Sequence, residues 1–141
     1  MTLPVEHLHR YYEGLVTDDP AAKAYALSLW SEDCILHIPG ANRFSGAHKG
    51  KEWMAQEYVP ALAVRDTLRQ KEECFSLVGD DRYGLSHYRE TFAIPGAETL
   101  VAMRHALYEF ENDLIVSIRV FEEDEAAADR FFNTYFPVEP A

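Results

Sequence analysis

The sequence predicts an α+β domain, because helical patterns come first and a run of long antiparallel strands follows. Apolar residues recur at helical spacing near the N-terminus, whereas the stretch from about residue 68 onward is rich in β-branched and aromatic residues separated by turn dipeptides. The chain has 141 residues, which suits one domain. We expect that domain to span residues 1–136 and residues 137–141 to form a loose tail.

Two helices are predicted at the start of the chain. The first is indicated by an apolar stripe formed by Val5, Leu8, Tyr12, Leu15 and Val16. Asp19 is a suitable N-cap and Pro20 a suitable first-turn residue for the second helix, AAKAYALSLW. This second helix is apolar on most sides, so we expect it to be well buried.

A glycine-rich segment, HIPGANRFSGAHKG, separates a short first strand from a third helix, KEWMAQEYVPAL, that begins near Lys49 and closes around Pro60. Neither GANRFSG nor GAHKG matches a dinucleotide-binding or P-loop pattern. We therefore interpret the segment as a loop between the strand and the helix, and the family resemblance given below implies that this loop is the rim of a small-molecule pocket, with Phe44 and His48 as candidate ligand contacts.

Four antiparallel strands follow, joined by connections at Gly79–Asp81, Pro95–Gly96 and Asn112–Asp113. A short last helix, EDEAAADRFFNTYF, is expected to be capped by Asp124 or a neighbour. The strand before it is apolar on both faces. One face is expected to pack on the helices of the domain and the other on a second subunit, which predicts a homodimer.

Composition narrows the class of partner. The net charge of −11 argues against binding to nucleic acid or to an anionic membrane surface. No apolar stretch approaches the length of a membrane span, and the N-terminus lacks the pattern of a secretory signal, so a cytoplasmic location is expected. Cys34 and Cys74 lie in strand-like segments and are interpreted as buried thiols rather than metal ligands.

Several aromatic and charged residues are candidates for the pocket. Tyr11 and Tyr12 each offer a hydroxyl, and Trp30 and Trp53 are expected in the core or the pocket wall. Since neighbouring strand residues face opposite ways, at most one of Arg104 and His105 points into the pocket, and both remain open.

Arg104 is a candidate clamp for an anionic oxygen, with Glu122 as a possible partner across the strands. His87 and His105 are candidates for proton transfer. With His37 they lie on three strands without a spacing that converges on a metal ion, so no metal site is expected.

Three segments carry a resemblance to a known superfamily: RYYEGLVTDDPAAKAYALSLWSEDC, HIPGANRFSGAHKGKEWM and FENDLIVSIRVFEEDEAAADRFF. Their order and spacing resemble the nuclear transport factor 2-like superfamily, and most closely its SnoaL-like branch of polyketide cyclase-like and ketosteroid isomerase-like proteins. The resemblance implies a curved sheet wrapped as a cone around the helices, one mostly apolar pocket, a small organic ligand and a dimer formed through the outer sheet face.

Catalytic residues of that superfamily carry over only in part. Ile38 stands where ketosteroid isomerases keep a carboxylate base, and Ala106 stands where they keep a protonated Asp, while Tyr11 matches their oxyanion-hole tyrosine. The route of those isomerases is therefore not expected. Limonene epoxide hydrolase-like proteins use an Arg that Arg104 matches, an Asp two residues further on where Ala106 stands here, and a last-strand Asp for which Glu122 is the nearest equivalent, so the match is partial.

The sequence thus predicts a SnoaL-like small-molecule protein, either an enzyme without a cofactor or a non-catalytic binding or interaction domain. As an enzyme it would be a cyclase, isomerase, dehydratase or hydrolase acting on a small apolar carbonyl-type compound. The candidate catalytic residues are Tyr11, Arg104, His105 and Glu122. The candidate ligand-binding residues are Tyr12, Trp30, Ile38, Phe44, His48, Trp53, Tyr58, His87, Tyr108 and Val120.

Overall fold

The computed structural model describes residues 2–16 and 19–138, and these fold as helices packed against one face of a six-stranded sheet. A π-helical turn spans Met54–Tyr58. In chain order the elements are α1 (Pro4–Val16), α2 (Pro20–Ser28), β1 (Trp30–Ile38), β2 (Gly46–Lys49), α3 (Gly50–Trp53), α4 (Val59–Ala63), β3 (Arg69–Gly79), β4 (Tyr83–Ala93), β5 (Thr99–Glu111), β6 (Leu114–Glu122) and α5 (Glu125–Tyr135).

The strands are ordered β2-β1-β6-β5-β4-β3. This confirms the α+β class and the run of four antiparallel strands, and it corrects two details. The glycine-rich segment contributes an additional strand, β2, and β1 runs parallel to β6. The sheet curves but keeps β2 and β3 as free edges, so it is not a closed barrel.

Helix boundaries differ from the predicted ones where tertiary contacts outweigh local pattern. The predicted second helix runs to Trp30, but α2 ends at Ser28 and Trp30 begins β1. The expectation that α2 is well buried is also wrong. Ala26 is its buried residue, and Leu27 is 65% exposed, since α2 packs mainly on α1.

Both predicted N-caps are present. The carboxylate of Asp19 accepts a hydrogen bond from the backbone N–H of Ala21 at 3.2 Å, and that of Asp124 accepts one from Ala127 at 3.0 Å. These bonds satisfy N–H groups that the first helical turn leaves free. Within the predicted TDDP turn residues 17 and 18 lie outside the described residues, as do residues 139–141 of the predicted tail.

The turn between β5 and β6 sets the register that builds the site. Asn112 and Asp113 both have positive φ, 51° and 65°, as a two-residue hairpin turn requires. Glu111 pairs with Leu114 across the turn, and after a local register shift Arg104 pairs with Glu122. Since side chains alternate along a strand, this register sends both of these side chains to the concave face.

Buried side chains form two clusters on that face. One lies between α1 and the strands and includes Leu8, Tyr108 and Ile115. The other packs α5 on the far end of the sheet and includes Phe92 and Phe131. Ile38 and Trp53 border both clusters, and a cavity opens beside them.

Candidate functional site

A cavity of about 910 Å³ lies between the concave sheet face and helices α1, α3, α4 and α5, and it opens to solvent. Its wall is mainly apolar and aromatic. Ten candidates from the sequence line it: Tyr11, Trp30, Ile38, Phe44, Trp53, Tyr58, Arg104, Tyr108, Val120 and Glu122. The size and character of the cavity suit a small organic molecule.

A group of charged side chains lies on the strand side of this cavity. Arg104 on β5 donates from Nε to Oε2 of Glu122 on β6 at 2.6 Å, and from Nη1 to Oε2 of Glu90 on β4 at 2.7 Å. The three side chains are only 11%, 4% and 14% exposed, respectively. A guanidinium held by a carboxylate on each side satisfies the need of a buried charge for partners.

Glu72 adds a third carboxyl group to the cavity wall. It lies on β3, directly across from Glu90 in the strand register. Burial, and to a lesser extent the negative charge of Glu90, raise the pKa of Glu72 to about 8 although Arg104 opposes both. At neutral pH Glu72 is therefore mostly protonated, in a cavity where three carboxyl groups face one guanidinium.

Burial, together with the negative charges of Glu90 and Glu125, also raises the pKa of Glu122, although Arg104 opposes the rise. The tyrosines of the cavity wall respond in the same direction. Burial is the largest cause that raises the pKa of Tyr11, Tyr58 and Tyr88, so their hydroxyls stay protonated and can donate hydrogen bonds.

Tyr12 does not line this cavity. Its hydroxyl lies 2.8 Å from the Ser86 hydroxyl and 2.7 Å from the Tyr108 hydroxyl, in a buried network. Its ring borders a separate, smaller cleft near α1 and β3. Tyr12 was expected to contact a ligand, but its hydroxyl already has hydrogen-bond partners within the protein.

The structure decides between the adjacent residues Arg104 and His105. Because Arg104 faces the cavity, His105 lies on the convex face, where its ring stacks on His87 with centroids 4.6 Å apart. Neither histidine lines the cavity, so neither is placed for the expected proton transfer to a molecule bound there.

His48 lies behind the cavity wall. Its ring stacks on Trp53 with centroids 4.1 Å apart, and its Nε2 lies 2.9 Å from the backbone oxygen of Phe44. His48 therefore orients two residues that line the cavity and does not line the cavity itself.

The loop after β1 forms part of the rim. The carboxylate of Asp129 accepts hydrogen bonds from the Ala41 N–H at 2.9 Å and from Asn42 Nδ2 at 2.8 Å. Gly40 has φ of 97°, and a Cβ there would lie 2.5 Å from that carboxylate. A glycine is needed because the turn requires a left-handed backbone and lets Asp129 approach closely.

Sequence reasoning missed Glu72 and Tyr88, and it did not decide which face of the sheet Glu90 occupies. On β3 and β4 they alternate with Lys71, Glu73 and Arg89, which face the other way, so composition does not reveal which set is inside. The remaining signal was Arg104 itself, because a buried guanidinium requires carboxylates on neighbouring strands.

Residues 2–16 and 19–138 contain no group of three or more metal-ligating side chains placed to hold an ion. Both cysteines are free thiols; Cys34 is buried as expected, and Cys74 is only partly buried. Within the part of the chain that the structure describes, no helix is long and apolar enough to cross a membrane.

No protein-family model matches the sequence, and no curated protein matches it. Solved structures do. Bal32a from a soil-derived mobile gene cassette is 23% identical, with a TM-score of 0.73 over 89% of this chain and 93% of that one. An NTF2-like protein from Burkholderia thailandensis is 9% identical, with a TM-score of 0.72 over 99% and 100%. This chain has the nuclear transport factor 2-like fold.

A candidate SnoaL-like polyketide cyclase from Mesorhizobium loti shares the NTF2-like fold with this chain at 15% identity. Its TM-score is 0.65, over 86% of this chain and 99% of that one. The resemblance stated from the sequence is thus confirmed at the level of the fold, including its SnoaL-like examples. At these identities the likeness concerns the NTF2-like architecture, and the chemistry has to be argued from the cavity.

Proposed function

We propose that this NTF2-like protein is an acid–base enzyme, acting without a cofactor on a small, largely apolar organic molecule. The observation that carries the proposal is Glu72, a carboxyl group that keeps its proton near neutral pH beside carboxylates held by Arg104. A carboxylic acid and a carboxylate in one apolar cavity are the two groups that acid–base catalysis needs.

Glu72 is the proposed general acid, which protonates an oxygen of the substrate. Glu122 and Glu90 are the candidate bases, and each has an Oε1 atom that makes no hydrogen bond to a described residue. In a hydrolysis, one carboxylate takes a proton from water while the water oxygen bonds to carbon and Glu72 protonates the departing oxygen. Tyr11 supplies a further hydrogen-bond donor from α1.

The role expected for Arg104 changes. Its two carboxylate partners already neutralise it, so we propose it as a positioning residue that fixes Glu90 and Glu122 rather than as a clamp for an anionic substrate. A carboxylate–Arg–carboxylate arrangement resembles the epoxide hydrolase pattern considered above. Glu90 on β4 supplies the carboxylate that Ala106 on β5 cannot.

A non-catalytic binding domain is the second candidate. The observation in its favour is that Ile38 and Ala106 line the cavity as apolar residues where ketosteroid isomerases keep acids. Such a protein would bind the same class of molecule and leave it unchanged.

A turnover screen separates the two candidates. Small epoxides, lactones and ketones are incubated with the protein and followed by NMR, alongside Glu72→Gln, Glu122→Gln and the control Glu123→Gln, whose side chain is exposed next to the site. We expect turnover that both cavity variants lower by at least about a hundredfold and the control leaves unchanged. Saturable binding without turnover would favour the binding domain, and full activity in Glu72→Gln would contradict the proposed acid.

The assembly and the location expected from the sequence stay predictions. Several large apolar side chains are exposed on the convex sheet face, among them Val101 and Phe121, at 54% and 47%. An apolar sheet face of this kind supports the proposed homodimer. We likewise retain the cytoplasm as the proposed compartment.

A further inference from the structure

We infer that the molecule bound in this cavity carries one positive charge, as a protonated amine does, on a small apolar or aromatic body. The inference rests on the proposed function, since it names the substrate class of the same cavity. It follows from a charge imbalance among side chains that face the cavity and from the free oxygen atoms that they present.

The carboxyl groups outnumber the basic group. Glu72, Glu90 and Glu122 share Arg104, so even with a proton on Glu72 the group carries one unit of negative charge. Arg104 is the basic side chain whose positive charge lowers the pKa of Glu72, against the raising effects of burial and Glu90. An excess charge inside an apolar cavity is costly, and a cation brought by a ligand would remove that cost.

The other basic side chains at the cavity edge do not correct the imbalance. Lys23 on α2 is exposed to solvent. Arg65 donates from Nε to the backbone oxygen of Tyr135 at 2.7 Å, and its guanidinium lies over the rings of Tyr135 and Phe136. Three further acidic side chains, Asp66, Glu125 and Asp129, also border the cavity, so the edge adds negative charge.

Acceptor atoms for an ammonium group are available. Among the described residues, neither oxygen of Glu72 and neither Oε1 of Glu90 and Glu122 has a hydrogen-bond partner. The rings of Trp53, Tyr58 and Tyr88 border the same cavity. Carboxylate oxygens beside aromatic rings match the two interactions that hold an ammonium ion, charge-assisted hydrogen bonds and cation–π contact.

The geometry equally disfavours an anionic ligand. A carboxylate placed beside Arg104 would also lie beside Glu90 and Glu122, which already accept hydrogen bonds from its Nη1 and Nε, so three negative charges would share one guanidinium. The same cavity therefore discriminates by charge between molecules of one shape.

Three probes of nearly the same shape test the inference: benzylammonium, benzyl alcohol and benzoate. Their affinities for the full chain are measured at pH 7 by ligand-observed NMR. We expect benzylammonium to bind at least about tenfold more tightly than benzyl alcohol, and benzoate to bind most weakly. Benzoate binding as tightly as benzylammonium, or no benzylammonium binding at millimolar concentration, would overturn the inference.

Variants locate the effect in the cavity. Glu122→Gln removes the excess charge, so the preference for benzylammonium over benzyl alcohol should fall to about twofold or less, whereas Glu123→Gln should keep it. A folded Glu122→Gln protein, judged by its near-UV circular dichroism, that keeps the full preference would contradict the inference.

A measurement on the unmodified protein guards against misfolded variants. Benzyltrimethylammonium keeps its charge at every pH, so its affinity reports the cavity alone. Ionisation of Glu72 adds negative charge, and the affinity should therefore rise several-fold between pH 7 and pH 9. A constant or falling affinity would count against the inference.

The two proposals fail separately. Cation preference without turnover of any compound would leave this inference standing and remove the acid–base enzyme. Glu72-dependent turnover of neutral compounds without cation preference would do the reverse.

Discussion

At the scale of single residues, the chemistry of this protein depends on how Arg104 and Glu72 differ. Arg104 is buried and paired with two carboxylates, while Glu72 faces the same cavity without an ion pair to any described residue. The arginine was visible in the sequence as a charge on a central strand. Glu122 was proposed from the sequence as its partner, but Glu90 was not, because strand alternation gives no sign of which face is inside.

Replacing Arg104 should destabilise the fold strongly. Arg104→Met leaves Glu90 and Glu122 buried without a counter-charge, and such a loss costs about 3–5 kcal/mol. We expect the free energy of unfolding, measured in urea at pH 7, to fall by that amount. The loss should shrink as the pH is lowered, because burial raises the pKa of Glu122 and a protonated Glu122 needs no counter-charge.

The matched control is Arg119→Met on β6, whose side chain is exposed on the other face. It should change stability by less than about 0.5 kcal/mol. Equal losses from the two substitutions would show that the buried ion pairs do not stabilise the fold.

Glu72 should make stability depend on pH. Its pKa of about 8 in the folded protein exceeds the ordinary value of 4.5, so between these values the folded state binds a proton that the unfolded state lacks. Stability from this group is therefore present at low pH and lost as pH rises toward 8, at up to about 1.4 kcal/mol per pH unit. Unfolding curves at pH 5, 6, 7 and 8 measure it.

Glu72→Gln isolates this contribution from that of other titrating groups. The variant should show a flatter decline than the wild-type protein, and the difference between the two should grow with pH. Parallel pH profiles would mean that Glu72 titrates normally.

At the scale of elements, the turns and caps were predictable and the helix limits were not. Asp19, Asp124 and the Asn112–Asp113 turn act locally, so a short stretch of sequence contains their whole physical cause. The end of α2 and the strand β2 depend on pairing with distant strands. The rim loop combines both kinds of cause. Gly40 adopts a positive φ that the local turn requires, and its lack of a side chain leaves room for Asp129, which is distant in sequence.

Two glycine substitutions separate these causes. Gly96→Ala places a Cβ at φ of 80° with nothing within 4 Å, so it should cost only the backbone strain, about 1 kcal/mol. Gly40→Ala adds a clash with Asp129 and should cost about 2 kcal/mol or more. Thermal unfolding of the two variants checks the order, and equal costs would contradict the role given to Asp129.

At the scale of the whole molecule, the convex sheet face presents large apolar side chains to solvent, among them Val101 and Phe121. Phe121 stands opposite His105, and His105 stacks on His87, so aromatic rings and imidazoles share this face. The sequence pointed to this face through a last strand that is apolar on both sides.

We expect a dimer in solution that Val101→Glu with Phe121→Glu converts to a monomer, since charges would then be buried at the subunit contact. Light scattering after size-exclusion chromatography gives the mass. Leu27→Glu, on the exposed side of α2, is the control and should leave the dimer intact. A wild-type protein that stays monomeric at high concentration would contradict the proposed assembly.

The sequence by itself determined the α+β class, the NTF2-like resemblance, the caps and turns, and ten of the residues that line the cavity. Those features follow from local periodicity, turn chemistry and the order of motifs along the chain. The tertiary structure decided that Arg104 rather than His105 faces the cavity, and that Glu72 and Glu90 join it. The physical reason is register: which carboxylates meet one guanidinium depends on how four strands align, and a shift of one residue would turn each of those side chains to the opposite face.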